Sequence, residues 1–292
     1  MPSDRLDPQS ICLVVVTYFP DELFFERFPL LAKQFGGSVI VDNKSPTETR
    51  DHLKNSGNNV DVILNDGNLG LACALNQGIR RAIERRFSWV FLLDQDSELD
   101  KGWLQAYGDA LAAFGPPQKV AVMGNNYSYA VGSDHVPLIP KKDRSHPFIE
   151  CKAVITAGSL LSLEAFGDLG PFREDFFIDW IDTEYCHRAR RQSYKVVMVT
   201  EPLVRQTIGH TVQADSVVGP FVTTNHSPRR RYYMTRNLVL LFKEYAFFEP
   251  LWFAARLGDV FKTTVKILLY EQEKKAKIGG MIAGIIDGIR GK

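Results

Sequence analysis

The chain has 292 residues, of which 45% are hydrophobic, 24% charged and 11% aromatic. That is enough to bury a large core, and it excludes a disordered or fibrous protein. With 35 Lys and Arg against 34 Asp and Glu the formal charge is +1, so the chain as a whole has no attraction for nucleic acid, and any electrostatic partner must be met locally.

In chain order, the first half alternates β-branched runs with segments of helical period. The pattern predicts strands at Ile11–Val16, Ser38–Val41, Val60–Leu64, Ser88–Leu93 and Lys119–Met123, and helices near Glu22–Gln34, Glu48–Asn55, Gly70–Arg86 and Gly102–Phe114. Pro29 is expected to break or restart the first helix. Strands written as continuous apolar runs suit a mostly parallel sheet covered on both faces by helices, with ligands gathered outside the carboxyl ends of its strands. From Tyr127 to Phe148, Pro137, Pro140 and Pro147 read as an irregular excursion. A strand-like Ala153–Leu163 interrupted by Gly158, a turn at Gly167–Pro171, a helix near Asp182–Arg191 and a strand at Tyr194–Val199 follow.

Beyond Leu251 there are eight basic residues (Arg256, Lys262, Lys266, Lys274, Lys275, Lys277, Arg290, Lys292) against four acids (Asp259, Glu271, Glu273, Asp287). Phe253, Leu257, Val260, Phe261, Thr264 and Leu268 recur at helical spacing, as do Met281, Ile282, Ile285, Ile286 and Ile289. Two amphipathic helices are expected there, either packed on their own domain or laid as a basic surface on a membrane. The longest apolar runs are shorter than the roughly 18–20 residues of a span. Asp4 and Asp7 leave the N-terminus without the basic flank of a secretory signal, so a cytosolic location is expected. Cys12, Cys73, Cys151 and Cys186 form no CxxC pair and read as buried thiols.

Chemistry is concentrated at strand ends. Asp94-Gln95-Asp96 closes the run WVFLL, where two carboxylates in extended spacing face one side and suit a hard divalent cation; a solvated turn is the plainer reading. Asp42 ends the second predicted strand, and Asn65 to Gly70 follows the third. Singly each is turn chemistry, but together they place polar groups on one rim, as a nucleotide cleft requires. No GxGxxG or GxxxxGK[ST] occurs, which disfavours hydride transfer and P-loop hydrolysis. Asp179, Asp182 and Glu184 surround Trp180 at the start of a helix, where carboxylates gain from the helix dipole or serve as a general base.

The ordered set Thr17-Tyr18, Val41-Asp42-Asn43, Asn65 to Gly70, Leu75-Asn76-Gln77-Gly78, Leu92 to Ser97 and Asp182 to Arg188 resembles family 2 glycosyltransferases of the GT-A fold. Leu-Asp-Gln-Asp-Ser with His210 and the segment His226 to Asn237 is similar to the bacterial rhamnosyltransferase branch. The resemblance implies an α/β, GT-A-type fold, with a catalytic domain at 1–228 (donor half about 10–125, acceptor half about 150–228) and a helical region at 229–292 in peripheral contact with the membrane.

It also implies inverting transfer of L-rhamnose from dTDP-β-L-rhamnose to a lipid-linked or lipopolysaccharide glycan such as O-antigen, assisted by Mg²⁺ or Mn²⁺ at the inner face of the cytoplasmic membrane. Asp182 is then the base, with Asp179 or Glu184 as substitutes, because the family's Glu-Asp pair is written here Ile181-Asp182. Thr17, Tyr18, Asp42, Asn65, Asn68, Gly70, Asn76, Asp94, Gln95, Arg229, Tyr233 and Arg236 would bind the nucleotide sugar. Asp96 and His210 would hold the metal, and Gly158, Asp179 and Trp180 the acceptor. The rival readings are a sugar-phosphate nucleotidyltransferase and a non-catalytic nucleotide- or glycan-binding protein.

Overall fold

The computed structural model describes residues 6–115, 119–131, 134–206, 212–216, 219–223 and 225–292. The first half runs β1 (Ile11–Thr17), α1 (Glu22–Ala32), β2 (Gly37–Asp42), α2 (Thr47–Lys54), β3 (Val60–Leu64), α3 (Leu71–Glu84) and β4 (Trp89–Asp94). Next come β5 (Glu98–Leu99), α4 (Trp103–Phe114), β6 (Val120–Asn125), β7 (Ser128–Val131), β8 (Asp134–Pro137), β9 (Phe148–Glu150), β10 (Ser159–Ser162) and α5 (Leu163–Leu169). The chain continues through α6 (Ile181–Arg191), β11 (Lys195–Val199), β12 (Val204–Gln206), β13 (Val212–Ser216), β14 (Gly219–Thr223), α7 (Pro228–Tyr245), α8 (Pro250–Tyr270) and α9 (Lys274–Arg290).

The main sheet has the order β3-β2-β1-β4-β10-β6-β11-β9. From β3 to β4 it is parallel, whereas β10 enters antiparallel to both β4 and β6. The apolar runs of β1 and β4 are buried almost end to end, as a sheet covered on both faces demands. On one face Phe35 and Phe91 close on Trp103 with ring centroids 4.7 and 4.9 Å away. On the other, α3 lies close because Gly78 has no side chain: a Cβ there would stand 2.4 Å from Val14 Cγ1.

Four local expectations change. Pro29 sits inside α1, which continues to Ala32 while Phe24 and Phe28 hold the helix in the core. The stretch Ala153–Leu163 yields a strand only from Ser159, because Gly158 adopts φ 73°. Gly167 lies within α5, whose end is set by Gly170 at φ 84°. The Tyr127–Phe148 excursion is partly regular: β7 pairs with β12 and with β8, and Pro137 is tolerated because β8 is an edge strand.

The chain divides into two compact units, Met1–Asp175 with Ile181–Thr207, and Phe176–Trp180 with Ile208–Lys292. In the second, α9 packs on α7 through glycine. A Cβ on Gly280 would meet Pro228 O at 2.5 Å, and one on Gly284 would meet Tyr232 O at 2.3 Å. The packing face of α9 is therefore Gly284, Gly288, Met281 and Lys277, while Ile282, Ile285, Ile286 and Ile289 are exposed. The isoleucine stripe thus faces away from α7. All four cysteines are free thiols; Cys12 and Cys186 are buried and Cys73 and Cys151 partly so. Burial pushes the Cys12 thiol up to about 12.

Candidate active site

Strand register builds the rim of the site. Thr17 pairs with Asp42 across β1 and β2, Val16 pairs with Asp94 across β1 and β4, and Asp42 pairs with Leu64 of β3, so Asn65 follows directly. Polar residues just past four apolar strands thus emerge on one edge of the sheet.

Each rim side chain is held by a specific partner. Asp42 is fully buried: its Oδ1 accepts from Thr17 Oγ1 at 2.9 Å and Ser45 Oγ at 2.5 Å, and its Oδ2 from the Ser45 N–H at 2.8 Å. A base read by Asp42 would have to share a carboxylate that already closes this turn. Ser45 Oγ also accepts from the Phe19 N–H, which fixes the segment after β1. Asn65 and Gln77 exchange amide hydrogen bonds at 2.9 and 3.0 Å, and Asn65 donates to Asn43 Oδ1. Asn43 donates to Gly70 O, and Asn68 accepts from the Gly70 N–H. Asn76 holds Phe172 by donating to its carbonyl and accepting from its N–H, and it also donates to Glu174.

Gln95 clips the β4 end to the β1 end, accepting from the Tyr18 N–H at 2.8 Å and donating to Tyr18 O at 3.2 Å. Between Asp94 and Asp96 this clip fixes the turn. Asp94 is half-buried and Asp96 exposed. Their carboxylates are the hard oxygen donors that Mg²⁺ or Mn²⁺ prefers, so the donor chemistry fits such an ion. No cluster of three His, Cys, Asp or Glu side chains occurs among the described residues, and His210 lies outside them.

At α6, the three candidate bases have different surroundings. Glu184 is buried and paired with Arg188 through both oxygens, at 3.1 and 2.8 Å. Asp179 is held by Arg230 at 2.9 to 3.3 Å. Asp182 accepts from the Thr183 N–H at 2.7 Å and lines a crevice with Thr156, Ser159 and Tyr185 in the unit that carries Asp94 and Asp96. A carboxylate bound fork-to-fork by arginine is a weak base, because the adjacent cation favours its charged form.

Gly158 is tied into the fold. Its carbonyl accepts from Tyr107 Oη, its N–H donates to Leu92 O at 2.8 Å, and a Cβ would stand 2.4 Å from Asn125 Nδ2.

Asp179, Trp180, Arg229, Tyr233 and Arg236 belong to the second unit. Asp179 and Trp180 take φ of 65° and 66°, a strained conformation for side-chain-bearing residues. Asn237 compensates by donating to Ile178 O and Asp179 O, and Trp180 Nε1 donates to Met234 O at 2.9 Å. The Arg229 guanidinium lies 4.9 Å from the Phe177 ring and 5.9 Å from the Tyr233 ring. Arg236 is buried and donates to Lys292 O and Asn237 Oδ1.

Ser45 was not given a site role by sequence reasoning, and Gln77 entered it only as part of the motif Leu75-Asn76-Gln77-Gly78. Ser45 has a signal, since it follows Asp42 by three residues, the spacing at which an Asp side chain closes a turn. The pairing of Gln77 with Asn65 has none, because the β3–α3 connection brings the two together.

The polar rim lies at the carboxyl ends of a largely parallel sheet, the place where α/β folds of this kind bind their ligands. The Glycosyl transferase family 2 sequence model matches residues 38–160. The dTDP-rhamnosyl transferase RfbF of Shigella flexneri is 28% identical over 298 residues, spanning 97% of this chain and 96% of that one. The crystal structure of S. aureus TarS 1–349 superposes with a TM-score of 0.57 at 15% identity, over 96% of this chain and 80% of that one. TarS 1–349 in complex with UDP-GlcNAc gives 0.58 at 15% identity over the same shares; at such identity both speak for the fold. Residues 38–160 are thus similar to family 2 glycosyltransferases, the near full-length likeness to a rhamnosyl transferase supports a glycosyltransferase, and the structural neighbours share its α/β fold.

Proposed function

We propose that the enzyme transfers L-rhamnose from dTDP-β-L-rhamnose, with inversion, to a hydroxyl of a lipid-linked or lipopolysaccharide glycan precursor at the cytosolic face of the membrane. The sugar and nucleotide are supported by the near full-length kinship with dTDP-rhamnosyl transferase RfbF. The observation that carries the chemistry is the place of Asp182 at the start of α6, where it lines a crevice with Thr156, Ser159 and Tyr185.

In this reading Asp182 takes the proton of the acceptor hydroxyl as its oxygen attacks the anomeric carbon from the side opposite the leaving diphosphate. Asp94 and Asp96 would hold Mg²⁺ or Mn²⁺, which when bound supplies positive charge to the diphosphate. The Gln95–Tyr18 clip keeps the two carboxylates in place before substrate arrives, so less order has to be imposed during the reaction.

The test is a screen of sugar nucleotides for protection against thermal unfolding, since a ligand selective for the folded state raises its stability by mass action. dTDP-rhamnose and dTDP are expected to raise Tm in the presence of Mn²⁺, and the UDP counterparts to leave it unchanged. Protection by UDP compounds alone would overturn the donor assignment.

A further inference from the structure

The second unit contains a cavity of about 230 Å³ lined by residues of α7, α8 and α9, many times the space one water molecule needs. Met234, Leu238, Val260 and Met281 give it apolar walls, Arg231 and Arg256 give it two cations, and Asp259 gives it one carboxylate.

Arg231 is the anomaly. Its side chain is 5% exposed, yet among the described residues its Nε has no hydrogen-bond partner and its Nη1 meets only the thioether of Met234 at 4.0 Å. Its Nη2 donates to Glu271 Oε1 at 2.9 Å, but Glu271 also accepts from Lys277 Nζ at 2.8 Å. Two buried cations therefore share one buried carboxylate. Asp259 does not offset the surplus, because it is paired with Arg256 at 2.8 Å. A buried cation left short of partners is costly, and an anion in the cavity would relieve it. His226 is in keeping with this positive interior: burial, then Arg230 and Arg231, lower its pKa to about 4.

The hydrocarbon side of the ligand follows from α8. Arg256 and Val260 line the cavity, and Leu257 and Phe261, 58% and 71% exposed, each follow by one residue. They lie about 100° further round the helix, so apolar surface continues from the cavity wall onto the exposed face of α8.

We propose that this cavity binds a lipid phosphate, its anionic oxygens facing Arg231 and Arg256 and its chain leaving along Leu257 and Phe261. The assignment extends the lipid-borne acceptor proposed above and is independent of the sugar donor.

The experiment is calorimetric titration of the full chain with n-decyl phosphate below its micelle concentration, alongside inorganic phosphate and neutral decyl maltoside. Decyl phosphate is expected to bind saturably and at least ten-fold more tightly than either control. Arg231→Met, which leaves Glu271 paired with Lys277, is expected to weaken it at least ten-fold. Val260→Trp fills the cavity without altering a charge and is expected to do the same, which keeps the test decisive should Arg231→Met fail to fold. Unchanged affinity in the folded variants overturns the site, as does equal binding of decyl maltoside, and inorganic phosphate bound as tightly overturns the lipid. Rhamnose transfer without decyl phosphate binding overturns this site alone. Decyl phosphate binding without dTDP protection supports it and removes the proposed donor.

Discussion

Three carboxylates within six residues, Asp179, Asp182 and Glu184, differ chiefly in their partners. Glu184 is 2% exposed and locked to Arg188, which also donates to Leu169 O and Pro171 O, so the pair joins α6 to the end of α5. Its removal would leave a half-buried guanidinium without its counter-ion, a loss of folding rather than of chemistry. Asp182, by contrast, has an oxygen engaged by Thr183 and lines a crevice. Asp182→Asn keeps the shape and removes the basicity. General-base assistance contributes about 10²–10⁴-fold, so kcat should fall by that order while dTDP protection against heat is retained. A variant that turns over within a few-fold of wild type would transfer the role elsewhere, and lost protection would make Asp182 a binding residue.

At the scale of elements, α9 on α7 shows what a period cannot reveal. Apolar spacing marks Met281, Ile282, Ile285, Ile286 and Ile289 as one face, yet the contact with α7 is made by Gly280, Gly284 and Gly288, four residues apart. Close approach of two backbones needs the absence of side chains, and a hydropathy pattern does not score an absence. Thr235 Oγ1 donating to Met281 O, and Tyr232 Oη donating to Asp287, fix the register of this contact. Gly284→Ala would place a methyl 2.3 Å from Tyr232 O, a backbone atom that cannot turn aside. The helices would have to part, costing about 1–3 kcal/mol as for other overpacked sites and outweighing the gain of up to about 1 kcal/mol in helix propensity. At Gly279 nothing lies within 4 Å of a new Cβ, so Gly279→Ala should stabilise by about 0.5–1 kcal/mol. Urea midpoints should therefore move in opposite directions, and a shift of the same sign in both would exclude backbone contact as the reason for Gly284.

Across the whole chain, legibility follows the range of the interaction. The β1–β4 series and the polar rim could be read in sequence because buried parallel strands are written as apolar runs and their ends carry Asp42, Asn65 and Asp94. The antiparallel entry of β10 between β4 and β6 is set by pairing partners far apart in sequence, as are the β7–β8 hairpin's place beside β12 and the Asn65–Gln77 amide pair. Arg231, Glu271 and Lys277 look in sequence like an exposed charged surface, and only tertiary packing of α7 against α9 turns them into a buried cluster.

Burial of those charges sharpens the character of what remains outside. No helix among the described residues is long and apolar enough to cross a membrane. Yet Leu257, Phe261, Leu268 and Ile289 are 52% to 71% exposed, and Lys262, Lys274 and Lys275 are exposed as well. Three of the four acids of this segment are spoken for: Asp259 by Arg256, Glu271 by Arg231 and Lys277, and Asp287 by Tyr232. Exposed apolar side chains beside exposed lysines match an anionic bilayer surface, where each basic residue contributes about 1 kcal/mol and each inserted side chain a comparable amount.

The chain should therefore pellet with vesicles of phosphatidylglycerol more than with those of phosphatidylcholine, and less in high salt as screening shortens the reach of the lysines. The triple substitution Leu257→Ser, Phe261→Ser and Leu268→Ser alters only exposed side chains, so it should fold and lose at least ten-fold in vesicle partitioning. Equal pelleting of this variant would detach these residues from lipid. A wild-type chain that dimerises in solution, and a variant that does not, would instead show the face to be covered by a second copy.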